Sequence, residues 1–78
     1  MIKKTRKLII TYYTSDMAFA TEKLCKTNNI SGELISAPRK LSADCGISYA
    51  ANIEDKQKLE EIFALNKIEY DKMTEMEV

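Results

Sequence analysis

Hydrophobic and polar positions along this chain follow two rhythms in turn. Lys7 to Tyr13 (Lys-Leu-Ile-Ile-Thr-Tyr-Tyr) is rich in β-branched and aromatic side chains and predicts a first strand. Thr14, Ser15 and Asp16 are good helix N-caps, and Met17, Ala20, Leu24 and Cys25 then recur at helical spacing to about Lys26, with Asn28 and Asn29 as terminators. Ser31-Gly32 signals a turn before a second strand, Glu33 to Ala37, which Pro38 ends because proline has no ladder hydrogen bond to donate. Arg39 to Gly46 predicts a loop and Ile47 to Ala51 a third strand. Glu54 or Asp55 caps a second helix whose apolar stripe is Leu59, Ile62 and Phe63, with Leu65 at its edge and Lys56 and Glu60 on the solvated side. After Asn66-Lys67, the even spacing of Tyr70, Met76 and Val78 predicts a fourth strand within Ile68 to Val78.

The order β-α-β-β-α-β predicts an α+β fold of the ferredoxin-like type, a four-stranded antiparallel sheet with two helices on one face. Right-handed crossovers give the spatial strand order 4-1-3-2. In that arrangement the end of strand one and the start of helix one, Ser15-Asp16, lie at the sheet edge from which the strand two to strand three loop departs. With 78 residues the chain is expected to form a single domain, residues 1–78, with 1–6 as a flexible basic tail. A domain of this size buries about 60–65% of the surface its unfolded chain exposes, so it holds one thin core.

Composition narrows the classes of function. The chain is 45% hydrophobic and 31% charged with zero net charge, so no overall field draws it to nucleic acid or to an anionic membrane. Residues 1–40 carry eight Lys or Arg against three acids, and 41–78 carry four against nine, which gives +5 and −5; one compact fold mixes these halves. Met1 to Lys7 followed by Leu8-Ile9-Ile10 imitates the opening of a signal peptide, but Thr11, Tyr12, Tyr13 and Asp16 end the apolar run too soon. No run approaches the roughly 20 apolar residues that span a bilayer. A cytoplasmic protein is the expectation.

The chain has no histidine and two cysteines, Cys25 and Cys45. That leaves no imidazole base, no Cys/His pair and no mixed zinc site, and the cysteine spacing is not a C-x-x-C redox motif. Catalysis, if the chain has any, is thiol chemistry, and neither a metal nor a cofactor is expected. Cys25 sits beside Leu24 on the helix stripe, where cysteine serves as a small hydrophobe. Cys45 belongs to Pro38-Arg39-Lys40-Leu41-Ser42-Ala43-Asp44-Cys45-Gly46, longer than the usual hairpin loop of about 2 to 5 residues. A free thiol is only about 3% ionised at pH 7. Arg39, Lys40 and a helix N-terminus favour the thiolate, whereas Asp44 opposes it. From these residues alone Cys45 is either a reactive thiolate or an inert small loop residue.

The run Pro38, Arg39, Leu41, Ser42, Cys45, Gly46 resembles the P-R-x-L-S-x-x-C-G signature of the selenium/sulfur carrier protein-like family of short bacterial proteins. The opening strand, the helix with Ala18, Glu22 and Lys23, the Ile30-x-Gly32 turn and the closing helix and strand agree with it, so the resemblance spans roughly residues 7 to 77. It implies a bacterial carrier, more a relay than a catalyst, in which the Cys45 thiolate holds sulfur or selenium as a persulfide or perselenide between donor and acceptor proteins. Pro38, Arg39, Ser42 and Gly46 are then the supporting residues. The basic stretch Ile2 to Arg6 departs from the shortest members.

Two other readings remain open. One is a small-ligand-sensing or protein-interaction βαββαβ module without catalysis. The other is RNA binding through Tyr12 or Tyr13 and Tyr49 on an open sheet face, which the lack of positive charge and of an aromatic-rich third strand disfavours. Such an uncovered face would equally serve as a homodimer interface.

Overall fold

A computed structural model describes residues 6–41 and 46–77. The chain runs β1 (Arg6–Thr11), α1 (Ser15–Thr27), β2 (Gly32–Ser36), β3 (Ile47–Ala51), a short 3-10 turn (Ile53–Asp55), α2 (Lys56–Asn66) and β4 (Lys72–Glu77). The strands form one antiparallel sheet in the order β2-β3-β1-β4, the spatial arrangement that the sequence predicts. Arg6, read from sequence as the last residue of a basic tail, instead opens β1 and pairs with Glu77. Residues 1–5 and Val78 lie outside the described residues.

Both helices cover the same face. Leu8, Ile10 and Tyr12 from β1 and its end, and Tyr49 and Ala51 from β3, form a buried cluster with Ala18 and Cys25 of α1 and Leu59 and Phe63 of α2. The buried line of α1 is Ala18, Thr21 and Cys25, rotated from the predicted Met17, Ala20 and Leu24, which are half-buried. Thr21 is tolerated inside because its hydroxyl donates to the Met17 carbonyl (2.8 Å) and accepts from the Tyr12 hydroxyl (2.8 Å). On α2, Leu59 and Phe63 are buried and Leu65 is 82% exposed. Helix α1 ends in a left-handed residue, Asn29 (φ 56°), with Ile30 N–H donating to Cys25 O (2.8 Å) and Asn29 N–H to Lys26 O (3.4 Å). This pairing satisfies the last carbonyls of the helix and delivers Ile30 into the core.

The other face differs from the uncovered surface that the sequence predicts. Residues paired across antiparallel strands point to the same side. Register therefore lays two rows across the side away from the helices: Ile35, Ser48, Thr11, Lys72 and Glu33, Ala50, Ile9, Thr74. The outer members are exposed or half-buried, yet the four central ones, Ile9, Thr11, Ser48 and Ala50, are buried. The segment leaving β2 turns back along the sheet toward the start of β1. Lys40 and Leu41 share a hollow of about 400 Å³ with Arg6, Thr74, Met76 and Glu77, at the far end of β1 from where the loop departs.

Candidate functional site

The β2–β3 connection is anchored at both ends. Beyond the last paired residues, Ser36 and Ile47, the Ala37 N–H donates to the Gly46 carbonyl (3.0 Å), extending the ladder by one step. The described part of the connection beyond this pair begins at Pro38. Its first limb is a turn, with Leu41 N–H donating to the Pro38 carbonyl (2.9 Å) and Arg39 and Lys40 exposed at its apex. Pro38 and Leu41 are half-buried. Gly46 has φ +72°, and among the described residues nothing lies within 4 Å of where a β-carbon would stand, so glycine is favoured there for backbone conformation and not for clearance. Ser42 and Cys45 lie outside the described residues.

The predicted supporting groups are only partly gathered. The anchored loop ends and the start of α1 share one sheet edge, as topology requires, since Thr11 pairs with Ser48 at the end of β1. Lys40, however, is carried to the opposite end of the sheet, beside Arg6 and Glu77, and not toward Ser15 and Asp16. Arg6 in turn forms an exposed ion pair with Glu75 (3.6 Å), a contact worth little in water.

The second cysteine is disposed differently. Cys25 is 1% exposed inside the core. Burial raises its thiol above the ordinary range, a hydrogen bond shared with Tyr49 works in the other direction, and the charge of Asp55 adds to the rise. Burial first, and then the bond to Cys25, push the Tyr49 hydroxyl upward as well. A thiol held in its protonated form within a close-packed core is a poor nucleophile. Tyr12 and Tyr49 are buried on the helix side and cannot stack bases, while Tyr13 is exposed.

Sequence reasoning missed one feature of the loop side of the sheet. Thr11 Oγ1 and Ser48 Oγ are buried and have no hydrogen-bond partner among the described residues. They belong to residues directly paired across β1 and β3. Thr11 directly follows the apolar run Leu8-Ile9-Ile10, and Ser48 stands among Ile47, Tyr49, Ala50 and Ala51, which is a visible signal. Its meaning depends on register and face, which composition does not supply.

Sheet order, crossovers and helix placement define a ferredoxin-like βαββαβ protein with an elongated, anchored β2–β3 loop. A family model described as "Putative Se/S carrier protein-like" matches residues 7–75, nearly the whole chain including that loop. The protein belongs to this family. No curated protein and no solved structure gives a significant match. Among the described residues, no helix is long and apolar enough to cross a membrane.

Proposed function

We propose that the chain is a sulfur or selenium carrier whose Cys45 thiolate accepts the atom from a donor protein and passes it to an acceptor. The observation that carries this reading is the family match across residues 7–75, which spans the Pro38-Arg39-Lys40-Leu41-Ser42-Ala43-Asp44-Cys45-Gly46 loop. Two structural features support it. Cys25, the alternative thiol, is enclosed and held protonated. Gly46, covalently next to Cys45, is fixed by its left-handed backbone and by the Ala37 hydrogen bond, so the attachment point of the loop cysteine is held against the sheet edge. Arg39, exposed at the apex of the first limb, is available to a donor or acceptor surface.

The exchange is a thiol–persulfide transfer. The Cys45 thiolate attacks the outer sulfur of a donor persulfide, a new S–S bond forms, and the donor's S–S bond breaks with its electron pair leaving on the donor thiolate. The proton on the outer sulfur passes to water, leaving a hydrodisulfide anion on Cys45. Acceptor attack on that outer sulfur regenerates the Cys45 thiolate. The selenium version follows the same electron flow.

Intact mass after incubating the reduced protein with a cysteine desulfurase and cysteine tests the reading. A one-sulfur adduct present in wild type and in Cys25→Ser, and lost in Cys45→Ser, is the expected pattern. Absence of any adduct, with Cys45 slow toward alkylating reagents, would instead favour a ligand-sensing or partner-binding module.

A further inference from the structure

Strand β2 closes one side of the sheet, and among the described residues no strand pairs with its outer edge. The bond from Ala37 to Gly46 fixes which of its backbone groups look outward. Antiparallel ladders alternate, so Glu33, Ile35 and Ala37 bond toward β3, and the N–H and C=O groups of Gly32, Leu34 and Ser36 face away from it. Natural proteins usually guard such an edge with charge or proline. The opposite edge strand, β4, carries Lys72, Glu75 and Glu77, whereas within β2 the charge is Glu33 alone. Beside β2 lies an open hollow of about 340 Å³ lined by Phe19, Leu34, Ile35, Ser36 and Ile47, and the Phe19 side chain of α1 is 51% exposed there. Apolar surface and outward ladder groups therefore coincide at one edge.

We infer that this edge binds a second copy of the chain, β2 pairing antiparallel with β2 about a twofold axis at Leu34, so that one sheet runs through both copies. The outward groups are symmetric about Leu34. Leu34 meets Leu34, and Gly32 meets Ser36 of the other copy, each pair exchanging both N–H···O bonds. On the back face Glu33 falls opposite Ile35, so the two acids are not set directly against each other. The helices favour a second copy over a lone extended peptide. Helix α1 lies against β2 and β3 alike. With strands about 4.8 Å apart, pairing β2 with β2 brings the two α1 axes to about 10 Å, the spacing at which helices pack. A lone peptide strand would bring no helix to cover Phe19. Phe19 lies level with the Ser36 end of β2, and α1 runs back from there toward Gly32. In the antiparallel pair, Phe19 of each copy therefore meets the Lys26 end of the other α1. Reversed upon itself, this flank is complementary: the Lys26 stem covers the Phe19 ring, and Glu22, level with the axis, stands beside Lys23 of the other copy. The inference does not depend on the carrier reading.

Sedimentation equilibrium over micromolar to millimolar protein, with backbone amide exchange followed at both ends of that range, tests the inference. The expected result is a reversible monomer–dimer equilibrium in which the amides of Gly32, Leu34 and Ser36 exchange more slowly as the dimer forms, while the outer amides of β4 do not change. Phe19→Lys removes the exposed ring, and Ser36→Pro removes an N–H that faces away from β3. Each variant is expected to keep its far-ultraviolet circular dichroism and to weaken the dimer about tenfold or more. Leu65→Lys, at an exposed position of α2, should leave the dimer unchanged. Should Ser36→Pro fail to fold, Phe19→Lys still decides, because its position on the helix is exposed. A wild type that stays monomeric throughout would overturn the inference and leave the edge to an extended peptide of a partner protein. A dimer that survives Phe19→Lys, or whose β2 amides exchange as fast as in the monomer, would overturn it as well and place the interface elsewhere.

Discussion

Gly32 lies against the ring of Tyr49 so closely that a β-carbon built at Gly32 would stand 2.6 Å from Tyr49 Cε2, 2.6 Å from its hydroxyl and 2.7 Å from the Ala50 carbonyl oxygen. The missing side chain of the first β2 residue is therefore what admits the largest side chain of β3 to the core. Gly32→Ala forces either the ring or the β2–β3 pairing to move. The backbone oxygen cannot give way as a flexible side chain would, so the cost is expected at or above the usual overpacking range of about 1–3 kcal/mol. Denaturant unfolding of Gly32→Ala against wild type measures it. Tyr49→Phe should not rescue the variant, since Cε2 remains in the way.

The Tyr12 hydroxyl bridges β1 to α1 through Thr21, which passes a second bond on to the Met17 carbonyl. Tyr12→Phe removes the donor and leaves Thr21 bonded to Met17, so the expected loss is that of one buried hydrogen bond, about 0.5–1.5 kcal/mol. A midpoint shift of that size in urea, with an unchanged slope, is the expected outcome. A loss of several kcal/mol would mean that the ring as well as the hydroxyl has shifted.

Gly46 offers a cleaner test of backbone preference, because among the described residues nothing lies within 4 Å of the position its β-carbon would take. Gly46→Ala meets no clash and is penalised only by its φ of +72°, about 1–2 kcal/mol. Gly46→Asn should cost less than alanine, since asparagine tolerates the left-handed region better. The ordering Gly, Asn, Ala in stability, read from thermal unfolding, checks the assignment. Equal stability of all three would show that the conformation is not retained.

The order of elements, the strand arrangement and the choice of Cys25 as a core residue were legible in the sequence because they follow from periodicity, caps and crossover handedness. Helical spacing marked out Leu59 and Phe63 correctly. It misplaced the phase of α1, because Thr21 enters the core through a partner just beyond β1, Tyr12, and so breaks the polar-outside rule on which the pattern depends. The course of the loop was not legible either. That Lys40 and Leu41 turn back toward Arg6 and Met76 depends on tertiary contacts that no local signal encodes. The Thr11–Ser48 pair needed the register of β1 on β3, since a slip of one strand by one residue would turn its hydroxyl to the helix side and break the pair.

The pairing of Cys25 with Tyr49 makes the fold sensitive to alkali. Both groups ionise less readily in the folded chain than in the unfolded one, because burial penalises the thiolate and the phenolate. With the folded value raised, the folded state keeps a proton that the unfolded state gives up as pH climbs past its own value, so stability falls with rising pH. The contribution of Cys25 is fully present below the ordinary thiol value of about 8.5 and is lost as pH rises from there through its folded value; that of Tyr49 begins to decline near about 10. Unfolding free energy measured from pH 7 to 11 should be level to about pH 8.5 and then fall with increasing slope. Cys25→Ala should lower stability throughout, since it empties a core position and removes a partner of Tyr49, while flattening the fall between about pH 8.5 and 10. In the native protein the Cys25 thiol should react with alkylating reagents far more slowly than in urea. A Cys25→Ala profile parallel to wild type across this window would show that the alkaline loss arises elsewhere.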